Sequence, residues 1–488
     1  MGKFLIGWEE VNITPEKEVC LCGQFHARVS EGIKDPIKST ILVFESLKDR
    51  GNSEYIIMVS CDLVAIPSQF KNTLIEKVKK ILPEIKEEKI IMNATHTHTA
   101  PEPGGDIIRG IERDSIIESY GIELPVMKPV EYINFATERI AEGIKNAWEK
   151  RTEGGISYGL GFAVVGHNRR ISYYDGTSKM YGKTDDPNFS HVEGYEDHSI
   201  NLMATYDKDK NLTGLIVNIA CPSQVSESEF LISADFWHDI REELRKRFGE
   251  KLYIFAQCSS AGDQSPHILI NKKAEERMWN LSGRNQRQEI GIRVANGIEE
   301  ILPVIKKEIN YNPVFSHICK KVKLTRYKIS EEELNFCLRE SEKYYKEYER
   351  LKKELEENPE KKKENRWYTL ITSNYRRSQW YLGVKGRYES QKIDPKVEIE
   401  IHVLRIGDVV FATNPFECYL DYGMRIKARS KAIQTFIVQL AGSGTYLPTE
   451  RALKGGSYSA VAPSCIVGPD GGKELVEETL LLIDTLFK

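Results

Sequence analysis

Apolar residues recur along this chain at two spacings, and the two alternate over the first hundred positions. Residues 55–61, Tyr-Ile-Ile-Met-Val-Ser-Cys, form a nearly unbroken apolar run of strand length, the pattern of a buried strand. Ser68 then opens a stretch with Phe70, Leu74, Val78 and Leu82 at three- and four-residue spacing, the stripe of an amphipathic helix that Ser68 could cap. Lys89-Ile90-Ile91-Met92 returns to a strand pattern. Residues 130–149 place Ile133, Ala136, Ile140, Ile144 and Trp148 on one helical face. Strands are predicted at 212–220 and 252–257, on either side of a helix that Asp235 caps and Gly249 ends. Strands return at 398–406 and 409–413, and a helix runs over 474–488.

Two segments depart from this alternation. Residues 170–196 are rich in Gly, Asp, Tyr and Ser and read as a long loop, a feature that in compact domains is often functional. Residues 330–357 interleave acidic and basic side chains around Leu334, Leu338, Tyr345, Tyr348 and Leu355. That is a surface helix laced with i,i+4 pairs, its charges a solvated face. The charged helical segment extends over about 328–382, with Lys361-Lys362-Lys363 as a connection. No internal repeat or low-complexity linker divides the chain, and its motifs run from end to end. The reading is one catalytic unit over residues 1–488.

Composition narrows the function classes. The net charge is −3 with 40% hydrophobic residues, which argues against a nucleic-acid or anionic-membrane footprint. No apolar run approaches the ~20 residues of a membrane helix. The N-terminus lacks the apolar core of a secretory signal, so the expected location is cytoplasmic. There the nine scattered cysteines would be reduced thiols, most of them small buried hydrophobes, with Cys221 set apart below.

The chemistry concentrates at Asn93-Ala94-Thr95-His96-Thr97-His98-Thr99-Ala100-Pro101, which holds two of the ten histidines. If the preceding strand continues, residues i and i+2 share a face and both imidazoles look the same way. Neutral imidazole is the commonest protein metal ligand. Read alone, the pair could equally be two polar residues in a surface loop.

Several motifs in fixed order resemble the neutral/alkaline (non-lysosomal) ceramidases and their bacterial relatives. Gly7-Trp8-Glu9-Glu10-Val11-Asn12-Ile13-Thr14 resembles the family's opening, and Gly32-Ile33-Lys34-Asp35 its next segment. Residues 94–101 resemble its Ala-Thr-His-Thr-His-Ser-Gly-Pro signature. Asn168-Arg169, Gly262-Asp263-Gln264-Ser265-Pro266, Asn414-Pro415-Phe416-Glu417, and the pair Tyr446 and Tyr458 follow in the family's order. The resemblance implies an α/β fold with central packed β-sheets flanked by helices. It also implies hydrolysis of an amide bond with Zn2+ as cofactor, His96, Glu417 and Tyr446 on the metal, and His98, Arg169, Ser265 and Tyr458 in catalytic positions. His98 would shuttle protons, Tyr458 or Arg169 would donate to the oxyanion, and Asp263 would orient a substrate hydroxyl. A water activated by the metal, rather than Ser265, is the expected nucleophile.

The resemblance breaks at one ligand. Where the family carries a second zinc histidine, this chain reads Asn218-Ile219-Ala220-Cys221-Pro222-Ser223-Gln224. Cys221 could supply a thiolate, His238 could reach in from the following helix, or the metal could be held by a different set. No C-terminal immunoglobulin-like domain, common in the family, is expected within residues 1–488. Two readings stay open: a zinc-dependent amidohydrolase of an N-acyl compound, and an inactive binding or scaffold member that has lost a ligand. For the enzyme, the segments expected to flank the site, 104–120, 170–198 and 443–460, are polar. They favour a small polar N-acyl substrate over long-chain ceramide.

Overall fold

The computed structural model describes residues 3–47, 53–105 and 113–488; Met1, Gly2 and part of the 104–120 segment lie outside them. An eight-stranded sheet contains β1 (Lys3–Asn12), β2 (Lys38–Leu47), β3 (Ser53–Cys61), β4 (Ile90–Ala94), β5 (Thr152–Phe162), β6 (Ser199–Asp207), β7 (Leu212–Ile219) and β8 (Tyr253–Cys258). Their spatial order is β8-β7-β6-β5-β1-β2-β3-β4. A four-stranded sheet runs in sequence order through β9 (Phe315–Thr325), β10 (Lys396–Ile406), β11 (Val409–Thr413) and β12 (Gln434–Val438).

The side-chain alternation of β2 explains how the layers stack. Ile41 and Val43 point into a cluster with Phe70, Leu74, Ile133 and Ile140, which come from α1 (Ser68–Ile81) and α2 (Pro129–Glu149). Leu42 and Phe44 point the other way, into a cluster with Phe315, Leu404, Phe411 and Phe436 of the second sheet. Strands β2 and β3 are therefore buried on both faces, which is why 55–61 reads as a continuous apolar run. The far end of the first sheet is covered by α3 (Phe236–Phe248) and α4 (Gln286–Ile305), through Trp237, Ile240, Val294 and Ile298. The outer face of the second sheet is covered by α7 (Leu420–Arg429) and α8 (Pro469–Leu486). The result is a helix–sheet–sheet–helix sandwich, the α/β architecture with central packed sheets that the sequence resemblance implies.

The helix over 330–357 is present as α5 (Glu331–Glu357), opened by a capping box at Ser330 and Glu333. It pairs with α6 (Thr369–Ile393), so the helical segment runs eleven residues beyond the expected 382. Two local expectations change. In the helix after Ile66 the N-cap position is Pro67, which offers no side-chain cap, and Ser68 is the first helical residue. The 170–196 segment is not a plain loop. Arg170–Tyr173, Ser178–Met180 and Phe189–Val192 form a three-stranded ribbon. Its first turn is closed by Asp175, whose carboxylate accepts the Thr177 amide at 2.9 Å, and by Gly176 at φ +84°.

In both sheets, strand pairs run parallel at the same end: β3 with β4, β7 with β8, and β11 with β12. The loops that leave these carboxyl ends carry His96, Gln224, Ser265, Glu417 and Tyr446, the position where open α/β sheets bind ligands. Polar side chains tie the two sheets together there. Asn218 Nδ2 donates to the Ile437 carbonyl at 2.8 Å, and Gln439 Oε1 accepts the amides of Ala261 and Cys418 at 3.0 Å each.

Candidate active site

His96 and His98 meet, but not by strand alternation. Strand β4 ends at Ala94, and His96 adopts φ +66°, a left-handed conformation that a non-glycine residue holds only under tertiary constraint. Its amide donates to Leu63 O at 2.9 Å, and Thr95 N donates to Cys61 O at 3.0 Å. The two imidazoles sit 4.9 Å apart, inclined at 68°.

The hydrogen bonds assign the tautomers. His96 Nδ1 lies 2.6 Å from the Val64 carbonyl, which can only accept, so Nδ1 carries a proton and Nε2 is the nitrogen turned to the site. For His98 the assignment starts at Arg169, whose Nη1 donates to Gln224 Oε1 at 3.1 Å. That fixes the amide orientation, so Gln224 Nε2 donates to His98 Nε2 at 2.7 Å. His98 Nδ1 then faces Glu227 Oε2 at 3.4 Å, and the other carboxylate oxygen meets His267 Nε2 at 2.9 Å. Burial pushes the His98 imidazole down to about 4, against the pull of Glu227, so it is neutral near pH 7. Close backbone approach makes this possible: Gly23, at φ +102°, lies where any Cβ would collide with the His98 ring.

His96 Nε2 points at Glu417 Oε2, 3.4 Å away, and at His98 Nε2, 3.3 Å away. Glu417 and Tyr446 face each other across a two-residue parallel ribbon, and the phenol donates to the carboxylate. Burial raises the Glu417 carboxyl, but His96, Arg169 and the Tyr446 hydrogen bond outweigh it and hold the group at about 2. Burial, with Glu417 and Tyr458 alongside, drives the Tyr446 phenol well above its ordinary range; a cation on its oxygen reverses that direction. His96 Nε2 thus faces a carboxylate oxygen at 3.4 Å, and in the neutral imidazole it offers a lone pair. That separation is close to the edge of a tetrahedron with bonds of about 2.0–2.1 Å. The residues fit a divalent cation, with His96, Glu417 and Tyr446 as donors.

The two proposed replacements for the missing histidine are not brought to this point. Among the described residues, no His98, His238 or Cys221 donor atom joins His96 and Glu417 in a group lying mutually within 4.8 Å. Cys221 is fully buried in the core cluster beneath α3 and α4, its thiol pushed well up by burial and donating to Pro222 O at 3.5 Å. His238 lies in the first turn of α3, its amide bonded to Asp235 O at 3.0 Å. One such group does exist elsewhere, Cys319, Glu400 and His402 on β9 and β10. There Lys71 already pairs with Glu400, His402 Nδ1 contacts His317 Nε2 at 3.0 Å, and Lys89 Nζ lies 3.4 Å from His317 Nδ1. Burial pushes the Cys319 thiol up to about 11. The two lysines make it a satisfied polar network rather than a cation site.

Arg169 is fully buried. Its Nη1 donates to Tyr181 Oη and Gln224 Oε1, both at 3.1 Å, and its Nη2 to Gly262 O at 2.9 Å and Tyr446 Oη at 3.4 Å. With these donors committed it is a scaffold, so an oxyanion donor has to come from elsewhere. Ser265 Oγ accepts from Tyr181 Oη at 3.2 Å and from the His267 amide at 3.1 Å. Neither neighbour is a base. Asp263 accepts from Leu420 N at 2.9 Å and Asn168 Nδ2 at 3.0 Å, which commits it to holding its loop rather than a substrate. Tyr458 is 40% exposed, its ring 5.6 Å from that of Tyr446.

Sequence reading missed Gln224, Glu227, His267 and Tyr181. Gln224 closes the stretch searched for a histidine, yet its amide is informative only once Arg169 is beside it. The mouth also differs from the polar one expected. Phe25 and Trp380, from segments not assigned to the site, pack on Tyr458 at 6.2 and 5.8 Å.

No protein-family model matches the chain, and no curated protein matches it by sequence. Solved structures do. A structure described as ceramidase complexed with C2 aligns over 98% of this chain and 74% of its own, with a TM-score of 0.67 and 15% identity. The chain has the neutral-ceramidase fold. A neutral ceramidase from Pseudomonas aeruginosa aligns over 99% of this chain and 75% of its own, with the same TM-score and identity. At 15% identity the likeness is one of fold, and the neutral-ceramidase fold then leaves the chemistry to be argued from the site. No helix among the described residues is long and apolar enough to cross a membrane.

Proposed function

We propose that this chain is a metal-dependent hydrolase, with Zn2+ as the metal, that cleaves the amide bond of an N-acyl compound. The observation that carries the reading is His96 Nε2 aimed at Glu417 Oε2, 3.4 Å away, with Nδ1 committed to the Val64 carbonyl and Tyr446 bonded to the same carboxylate. One nitrogen and two oxygens make three protein donors, the number that catalytic zinc uses with an open fourth position. On this count the lost histidine needs no replacement, and the inactive-scaffold alternative loses its premise. A cation held there supplies a Lewis acid and an acidified water.

The chain's own residues supply the rest. Neutral His98, its Nδ1 proton directed to Glu227, takes a proton at Nε2 from the attacking water in place of the bond from Gln224 and passes it to the leaving nitrogen. Glu227, bridging His98 and His267, steadies the imidazolium that forms. Tyr458, the exposed phenol beside Tyr446, donates to the developing oxyanion. Ser265 orients Tyr181 and does not attack, because no base lies at its hydroxyl.

The test is metal analysis with activity on a panel of N-acyl amides. The purified protein is expected to carry about one zinc per chain, with His96→Ala losing metal and turnover together. Full turnover in chelator-treated, metal-free protein refutes the reading.

A further inference from the structure

The α5–α6 hairpin, read from sequence as a solvated surface, reaches the mouth of the site. Trp380 of α6 packs against Phe25 at 5.4 Å and Tyr458 at 5.8 Å, and Tyr458 packs on Tyr446. Phe25, Trp380 and Tyr458 are all partly exposed, so one strip of rings leads from the candidate metal donors outwards. Tyr458 is held in place under constraint. Its neighbours Ser457 and Ser459 both take left-handed φ values, +74° and +73°, and Arg170 Nη1 donates to its carbonyl at 3.3 Å.

Charge at this mouth is unbalanced. The Arg377 guanidinium lies 4.4 Å over the Phe25 ring and makes no ion pair with a carboxylate among the described residues. The adjacent Arg376 pairs with Glu102 at 3.6 Å, an acid already bound by Arg113 at 2.6 Å. Buried Arg28 donates only to carbonyls, those of Cys22, His98, Glu227 and Glu229. Of the described arginines on the Gln24–Arg28 turn and the facing stretch of α6, Arg28 and Arg376 have the Glu227 and Glu102 carboxylates as charged neighbours, which leaves Arg377 as the uncompensated one. A guanidinium stacked on an aromatic face keeps its N–H edge free for a bidentate anion.

We infer that the site takes an N-acyl compound bearing an anionic group, its apolar part lying on the Phe25–Trp380–Tyr458 rings and its anion bound by Arg377. This rests on the amide-hydrolase reading for the reaction but not for the binding. It narrows the small polar N-acyl substrate suggested by the flanking segments to an anionic, partly apolar one.

The experiment compares N-octanoylglycine with N-octanoylethanolamine, which share an acyl chain and differ in charge, on the metal-loaded protein. Binding is followed by calorimetry and turnover by amine release, for wild type, Arg377→Gln and Trp380→Ala. Wild type should favour the anionic amide, and Arg377→Gln should erase about tenfold of that preference, mainly through binding or KM. Raising salt should weaken the anionic ligand selectively in wild type and not in the variant. Trp380→Ala should weaken both ligands. An anionic-to-neutral ratio unchanged in Arg377→Gln, or a wild-type preference for the neutral amide, overturns the inference. Arg377-dependent binding of the anionic amide without cleavage of either compound leaves the inference standing and refutes the amide-hydrolase reading instead.

Discussion

Gln224 is the residue on which the state of His98 depends, and replacing it tests the proton path directly. In Gln224→Leu the side chain keeps its approximate size but loses two hydrogen bonds: the 3.1 Å bond accepted from Arg169 and the 2.7 Å bond donated to His98 Nε2. Arg169 retains three other partners, so the protein should fold. A hydrogen bond that fixes a reacting group is worth about 1.5–3 kcal/mol, and each 1.4 kcal/mol is tenfold. The expected loss in kcat is therefore about 10- to 100-fold. Metal content should not change, because His96, Glu417 and Tyr446 are untouched. Gln224→Glu is the sharper variant. A carboxylate at this position accepts rather than donates, so with Glu227 on Nδ1 it favours a second proton at Nε2 and an imidazolium. Nitrogen chemical shifts of labelled histidine read that change without any assay of activity. A kcat within about twofold of wild type for Gln224→Leu removes Gln224 from the mechanism, since its bond would then be worth less than about 0.5 kcal/mol. Loss of metal in that variant makes it a ligand instead.

Three further outcomes follow from the same structure. Ser265→Ala should retain measurable turnover, and no acyl adduct on Ser265 should appear by mass spectrometry with slow substrates; trapping one would install Ser265 as the nucleophile. Asp62→Ala strands Arg241, whose guanidinium meets the Asp62 carboxylate at 2.7 and 3.0 Å with both groups buried. Urea denaturation should show a loss of about 3–5 kcal/mol, and a change below about 1 kcal/mol would mean that Arg241 finds another acceptor. The third outcome concerns pH. Burial, then the neighbouring His402 and Lys89, push the His317 imidazole down to about 3, opposed by Glu400. The unfolded chain binds that proton near pH 6.5 and the folded chain does not, so stability falls as pH drops from about 6.5 towards 3. His317→Phe should flatten the decline of Tm between about pH 6.5 and about 4, and an unchanged slope would show that other groups control it.

Local periodicity carried the elements. The stripes of α1, α2 and α5 and the buried runs of β3, β7 and β8 are each set by residues within one element, and those are readable one window at a time. The relay through Arg169, Gln224, His98 and Glu227 is not, because Gln224 and His98 lie 126 positions apart and neither side chain has chemistry until the other is placed. The missing histidine near position 221 points in sequence to Cys221 and His238 as its replacements. Cys221 is buried in the core beneath α3 and α4 and His238 stands partly exposed in the first turn of α3, whereas Gln224, in the same loop beyond β7 as Cys221, reaches His98. Trp380 was hidden for a different reason. The charges of α5 mark its solvated side correctly, but α6, its partner, buries one face against the Gln24–Arg28 turn, and no spacing within α6 announces what that turn contains.

The donor set also explains why so much buried polarity is tolerated where the sheets meet. His96 is carried by the first sheet, and Glu417 and Tyr446 by loops of the second, so the candidate cation site exists only when the two sheets are docked in register. Apolar packing through Phe4, Phe44, Phe411 and Phe436 supplies most of the docking energy but little positional precision, since such contacts are non-directional. Asn218 and Gln439 add direction: each is buried, and each bonds backbone of the opposing sheet or its loops. A one-residue slip between the sheets would leave these amides unpaired, at about 1–3 kcal/mol for each stranded group. The strained backbone at His96 belongs to the same device. Its left-handed φ is held by bonds that His96 donates to the carbonyls of Leu63 and Val64, both on the loop leaving β3, so this candidate ligand is positioned by the first sheet alone. A cation bridging His96 to Glu417 and Tyr446 then binds the docked state alone, which couples occupancy of the site to the integrity of the sandwich.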